Sequence, residues 1–324
     1  MIWILLLNPV KSKLSVRGLR VYYTTSERII KAVDGVSFEI KENESLGIAG
    51  ESACGKSTLG SALLRNLQPA AKIIDGSILL DDVDILKLGD SDFSRKIRWK
   101  RIAMVFQGAM NALDPVFTVK DQMKEILKNH NIKESDEDLI SKSLADVGLE
   151  PTVAKKYPHE LSGGMKQRIV IAMALLLSPD ILIADEPTTA LDVLVQTQII
   201  ALLRRLKNKK GITIILISHD LAIMSALAEK IAIMYSGQIV EFGNASDIYT
   251  NPKHPYTQAL ISAMPRLNSE KDKVSYIAGH PPDLSNLPSG CRFLSRCPYA
   301  MEVCKKDPPQ TQTHNGYTYC WLYE

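Results

Sequence analysis

The sequence predicts an α/β fold: a mostly parallel sheet covered on both faces, an antiparallel β subdomain ahead of it, an inserted helical subdomain and a Cys-containing C-terminal extension. Three observations carry this. Short, near-continuous Ile/Leu/Val runs (LGIAG, IAMVF, DILIADE, ITIILIS) alternate with helical stretches, the texture of strands buried on both faces. Residues 14–40 instead alternate apolar and polar positions (LSVRGLRVYY, KAVDGVSFEI), which suits two strands of a half-exposed antiparallel sheet. Beyond Phe242 the composition shifts, with Pro252, Pro255, Pro265, Pro281, Pro282 and Pro288 and a crowd of cysteines.

Residues 1–13 read as an N-terminal extension. Its apolar run, Met1–Leu7, is far shorter than the roughly 20 residues a spanning helix needs. It also lacks the basic start and small-residue cleavage site of a signal peptide, so it is read as an upstream start or a short edge strand. The core is expected over 14–243. Between Gly108 and Pro158 no strand pattern occurs, while VKDQMKEILKNH and EDLISKSLADVGL are helical, with Gly148 and Pro151 as stops. A helical subdomain over about 108–178 follows from that. A helix over 193–210 ends in KNKKG, with cations at the negative end of its dipole and Gly211 as cap. The extension covers 244–324. With 45% hydrophobic and 23% charged residues in 324, the chain has an ordinary globular balance. A net charge of +3 is too small to argue for nucleic acid or an anionic membrane surface. No segment is long and apolar enough to cross a bilayer, so a cytoplasmic chain is expected.

Gly50-Glu51-Ser52-Ala53-Cys54-Gly55-Lys56-Ser57-Thr58 follows one of the buried strands and opens a helix expected over 57–66, the context a P-loop requires. Gly50 and Gly55 let successive N–H groups point inward as an anion nest at a helix N-terminus. Lys56 is expected on the β- and γ-phosphates of ATP, and the Ser57 hydroxyl on Mg²⁺. Cys54 has no base beside it and is read as a small filler. Downstream, the strand Ile181–Asp185 delivers Asp185 and Glu186 to its C-terminal end, where ligands collect in parallel sheets. Asp185 is expected to hold Mg²⁺, directly or through water, and Glu186 to polarise the attacking water. Together these predict a P-loop NTPase core.

Leu161-Ser162-Gly163-Gly164-Met165-Lys166-Gln167-Arg168 opens another helix, expected over 165–177. Ser162 can cap it while Gly163 and Gly164 let a phosphate approach the backbone. A chain with one anion nest for its own triphosphate has a second to spare. That spare nest is best explained by a head-to-tail dimer with nucleotide at the seam.

With these motifs, the chain resembles the ATP-binding subunits of ABC transporters over nearly its full length. The resemblance implies that Gln107 touches Mg²⁺ and senses the membrane subunit, that Ala190-Leu191-Asp192 crosses the dimer seam, and that His219 holds the γ-phosphate. It implies that Tyr23 stacks on adenine, with Tyr22 as the competing choice. Ala53 stands where the family often has glycine, tolerable if its φ is negative. Asn251-Pro252-Lys253-His254-Pro255-Tyr256-Thr257, and later GHPPDL, resemble the C-terminal region of oligopeptide/dipeptide permease ATPases. That likeness implies a second, paralogous ATPase subunit, two transmembrane permease subunits and, indirectly, an extracytoplasmic solute-binding protein. The chain would then sit on the cytoplasmic face of the membrane. Relatives move oligosaccharides or nickel, and a soluble ABC ATPase outside transport is the competing class. The HPY triplet is read as a capped turn rather than a ligand.

Four cysteines remain. Five residues separate Cys291 from Cys297, six separate Cys297 from Cys304, and fifteen separate Cys304 from Cys320. A short Pro-rich segment with few core-forming residues usually needs a staple. Four thiolates suit a 4Fe-4S cluster, and members of the peptide-permease group carry one here, with Zn²⁺ or disulfides as alternatives.

Overall fold

The structure is a computed structural model that describes residues 12–132, 136–264 and 277–324. Met1–Leu7 and Pro265 lie outside the described residues. In chain order the first elements are β1 (Ser12–Thr24), β2 (Ile29–Lys41), β3 (Ser45–Ala49), α1 (Lys56–Leu63), β4 (Ala71–Leu80), β5 (Val83–Asp84), α2 (Asp90–Lys96) and β6 (Ile102–Val105). Then come α3 (Val119–Asn129), α4 (Asp136–Asp146), α5 (Gly163–Ala174), β7 (Ile181–Asp185), α6 (Val193–Lys210), β8 (Thr213–Ser218) and α7 (Leu221–Ser225). The last are β9 (Lys230–Tyr235), β10 (Gln238–Asn244), α8 (Ala245–Thr250), α9 (Pro255–Ser262), β11 (Gln310–Thr313) and β12 (Gly316–Tyr319).

The alternating opening folds as expected into an antiparallel sheet, ordered β2-β1-β4-β5. The larger sheet runs β11-β12-β10-β9-β3-β8-β7-β6. Its centre is parallel: β3 lies between β8 and β9, and β7 between β8 and β6. Each central strand feeds two cores, because side chains alternate across a strand. On β8, Ile215 and Ile217 join α1 and the antiparallel sheet, while Ile214 and Leu216 join the helical side. On β7, Ile181 and Ile183 take the first side, and Leu182 and Ala184 the second. Both faces are dry, so the near-continuous apolar runs are required by the layers they separate.

Among the described residues of 108–158 there are helices and no strand, as the pattern predicts. Thr118 starts α3 with a reciprocal capping box to Asp121. Helix α6 runs over the predicted 193–210 and stops at Gly211, φ 66°. Its terminal cations are paired: Lys207 with Glu229, and Lys209 and Lys210 with Asp146 at 2.9 and 2.7 Å. Two helices begin earlier than expected. Helix α1 starts at Lys56, and α5 at Gly163 because Ser162 is itself the cap, accepting from the Met165 N–H. The tail does not stand apart from the core: β12 pairs with β10, adding a hairpin to the large sheet. No described helix is long and apolar enough to cross a membrane.

Candidate functional site

β3 ends at Ala49 and α1 begins at Lys56, so residues 50–55 must reverse the chain above the helix N-terminus. Two glycines make this possible. Gly50 has φ 154° and Gly55 φ 104°, and a Cβ at either would stand about 2 Å from a backbone oxygen, 2.1 Å from Met234 O and 1.9 Å from Ala32 O respectively. Within the turn, the Lys56 ammonium donates to the carbonyls of Gly50 (2.7 Å) and Glu51 (2.8 Å), tying the loop into a ring. Cys54 is buried under it and Ser52 is exposed. Burial pushes the Cys54 thiol up, which suits a filler better than a nucleophile.

Ala53 departs from expectation. Its φ is 61°, not negative. A left-handed alanine costs about 1–2 kcal/mol relative to glycine, so the loop holds modest strain there.

The acidic end of β7 meets this loop. Asp185 is buried, and desolvation raises its carboxyl pKa. A hydrogen bond from Ser57 opposes that rise, Glu186 adds to it and Lys56 also opposes it. Its Oδ1 is buried without a hydrogen-bond partner. A hydroxyl, a carboxylate and an orphaned oxygen at the mouth of an anion nest suit a hard divalent cation such as Mg²⁺. Glu186 turns the other way, at φ 48°. Its Oε1 accepts from the His219 N–H at 3.1 Å and lies 2.8 Å from His219 Nδ1, and its Oε2 accepts from Thr189 Oγ at 3.2 Å. Thr189 was not anticipated. It lies three residues beyond Glu186, within reach of any side chain at that turn.

Tyr23 and Tyr22 point apart, as neighbours on a strand must. The Tyr23 hydroxyl is 3.1 Å from Thr58 Oγ, beside the loop, whereas the Tyr22 hydroxyl donates to Asp34 at 2.6 Å. Asp34 and burial together push Tyr22 up to about 12. Gln107 is exposed in the turn after β6. Gly163 sits nearest Leu191 and Met110, and Gly164 nearest Val195, so the LSGG turn packs on the segment around Asp192. Asp192 caps α6 by accepting from the Val195 N–H. Ser162, Gly163 and Asp192 therefore form a second cluster, distinct from Gly50–Thr58.

His254 caps α9, its Nδ1 accepting from the Tyr256 N–H at 3.0 Å; full burial lowers its pKa to about 3. The turn is capped, as read. Cys291, Cys297, Cys304 and Cys320 all line one apolar cavity of about 10 Å³ with Phe293, Leu294 and Trp321. All four are free thiols, and burial pushes Cys291 up to about 11. The cavity that the four thiols border is no larger than about one water molecule. The spacing does not suit one ion: among the described residues no three His, Cys, Asp or Glu could share a metal.

Two family models match the chain: "ABC transporter" over residues 33–189 and "Oligopeptide/dipeptide transporter, C-terminal region" over 240–304. The dipeptide transport ATP-binding protein DppD of Caldanaerobacter subterraneus subsp. tengcongensis is 46% identical, covering 95% of this chain and 96% of that protein. The oligopeptide transport ATP-binding protein OppD of Escherichia coli K12 is 43% identical over 91% of this chain and 88% of its own. Among solved structures, the ATP-binding cassette MJ0796, described as a dimeric post-hydrolysis state bound to ADP and Pi, superposes with a TM-score of 0.63 at 28% identity. It covers 72% of this chain and 98% of its own. An intact phosphate loop, an acidic strand end, an LSGG-capped helix and these likenesses over the whole length agree: the chain belongs to the ABC transporter family, among the ATP-binding proteins that carry the oligopeptide/dipeptide transporter C-terminal region.

Proposed function

We propose that this chain binds and hydrolyses ATP to drive an ABC importer for dipeptides or oligopeptides, working as one half of a nucleotide sandwich. The observation that carries the reading is the Glu186 carboxylate, held by His219 and Thr189 at the edge of a phosphate nest whose Asp185 has a free buried oxygen. In this reading 14–243 is the ATPase core, 108–178 its helical subdomain and 244–324 the extension. The loop from Gly50 through Glu51, Ser52, Ala53, Cys54 and Gly55 to Thr58 cradles the phosphates, Lys56 neutralises the β- and γ-phosphates, and Tyr23 stacks on the base. Mg²⁺, held by Ser57, Asp185 and Gln107, would supply charge neutralisation on the phosphate oxygens. Glu186 orients the water and takes its proton, and His219 holds the γ-phosphate.

The seam is completed by Ser162, Gly163, Gly164 and Asp192 of the opposite subunit. Two features support it. The solved relative is described as a dimer, and Val193 and Leu194, next to Asp192, are 78% and 69% exposed. Phe106, next to Gln107 in the chain, and Val116 and Phe117 of the helical subdomain are exposed, which suits docking to a membrane permease and would place the chain peripherally on the cytoplasmic face. The partner ATPase is read as a paralogue, with a solute-binding protein delivering cargo outside.

Uptake tests the cargo. In cells deprived of this chain, labelled dipeptide and oligopeptide uptake falls to background and returns with the chain but not with Lys56→Ala. Unchanged peptide uptake, with oligosaccharide or nickel uptake lost instead, would reassign the cargo.

The cysteine segment is read as a 4Fe-4S site because Cys291, Cys297, Cys304 and Cys320 border one apolar cavity. Anaerobically purified protein should carry about four iron and four acid-labile sulfide per chain. Cys304→Ser should remove them. Stoichiometric zinc without iron would overturn this reading.

A further inference from the structure

Glu51 is an acid inside a loop that must receive a triphosphate, and its surroundings explain how that is possible. Both its oxygens are clasped by one guanidinium from the far end of the chain, Arg296 Nη1 to Oε2 at 2.7 Å and Nη2 to Oε1 at 2.8 Å. Arg296 is only 3% exposed at its side chain. It is held by the Tyr235 hydroxyl at 3.2 Å and the Ala278 carbonyl at 2.9 Å, and it lies over the Tyr235 and Phe293 rings. The Glu51 N–H donates to the Tyr256 hydroxyl at 2.9 Å, and its carbonyl accepts from Lys56. Amide, carbonyl and carboxylate of one loop residue are therefore all fixed, two of them from beyond residue 250. Arg296 in turn sits directly before Cys297, on the short turn between two of the cavity-lining thiols.

We propose that Arg296 and Tyr256 are positioning residues of the phosphate loop, Arg296 neutralising Glu51 so that the loop accepts a magnesium nucleotide. This rests on reading Gly50–Thr58 as the ATP site. The bidentate fork fixes the loop's orientation as well as its charge, which a point charge does less well. Without Arg296, the Glu51 carboxylate would be an uncompensated negative charge in the loop that receives the phosphates, and like-charge repulsion is stronger there than in bulk water. The cysteine turn thereby becomes part of the nucleotide site, since whatever fixes Cys291 and Cys297 fixes the backbone that aims Arg296.

The test is MgADP affinity of the full chain by calorimetry, a probe that needs no turnover. Arg296→Met should weaken binding about tenfold, and the loss should shrink at high salt as screening rises. Removing the charge it compensates should restore it: Arg296→Met with Glu51→Gln should bind within about threefold of wild type, because neither group then needs the other. Arg296→Lys should fall between, and Tyr256→Phe, which deletes one acceptor, should weaken binding a few-fold. Wild-type affinity in Arg296→Met, or a double variant no better than Arg296→Met, overturns the proposal. If Arg296→Met does not fold, wild-type affinity in Arg296→Lys and Tyr256→Phe overturns it equally. Lys56→Ala separates the levels. If it keeps wild-type affinity, the ATP-site reading itself fails. If it loses affinity while Arg296→Met does not, only the positioning role falls.

Discussion

Replacing Glu186 by Gln should lower steady-state ATP turnover by about 10²–10⁴-fold, the usual contribution of a positioned general base. The substitution is close to isosteric. The carboxylate is held by the His219 N–H at Oε1 (3.1 Å) and by Thr189 Oγ at Oε2 (3.2 Å); in glutamine the amide oxygen can keep the first bond while the amide nitrogen donates to the Thr189 hydroxyl, so the turn at φ 48° keeps its supports. What is lost is the capacity to take a proton from water. The effect should therefore fall on kcat, with the KM for ATP little changed. In the proposed sandwich, nucleotide bound but not cleaved should also hold the two ATPase subunits together, so MgATP should shift the variant mixed with its paralogous partner to a dimer on size exclusion. Turnover at the wild-type rate would remove Glu186 from the mechanism.

Gly55→Ala should abolish measurable MgATP binding and cost the fold about 2–5 kcal/mol, the sum of a forbidden backbone angle and overpacking. At φ 104° an added Cβ would lie 1.9 Å from the Ala32 carbonyl oxygen and 2.8 Å from Met234 Cε. The first neighbour is backbone of β2 and cannot turn aside, so the loop must move, carrying the Lys56 amide with it. Gly18→Ala is the control. Its φ is also positive, 56°, but an added Cβ has nothing within 4 Å, so the cost should stay near 1 kcal/mol. Denaturant midpoints measure the stability difference, and calorimetry with MgATP the binding. Normal nucleotide affinity in Gly55→Ala would mean the loop is not the phosphate nest.

What the sequence disclosed was set by the range of the interactions. The Ile/Leu/Val strands were legible because a strand between two cores must be apolar at both parities, and Ile214–Ile217 are. Gly50, Gly55 and Lys56 were legible because the loop is contiguous and its geometry demands those residue types. Helix α6 was legible over 193–210 with Gly211 as its cap, while the capping role of Asp192 came from the structure. Helix starts at Lys56 and Gly163 were misplaced by one or two residues because glycines inside a first turn read as loop. The φ of Ala53, on which its tolerance was made to depend, was not legible, because the residue alone carries no left-handed signal. The hairpin β11–β12 went unnoticed although Asn315-Gly316 between alternating residues is a turn signal. The clasp of Glu51 by Arg296 was not legible at all. Two residues so far apart in the chain leave no local pattern, and an arginine beside a cysteine reads first as part of the thiol segment.

That hairpin also has a bearing on how the protein behaves among its own copies. Without it the large sheet would end at β10, whose Ile239, Val240 and Phe242 are buried apolar residues and whose open backbone edge could template another strand. Instead the border is QTQT, with Gln310 and Gln312 turned to water. Amide-rich margins of four residues are poor seeds for edge-to-edge polymerisation. The chain's tail thus acts as a hem on its own sheet.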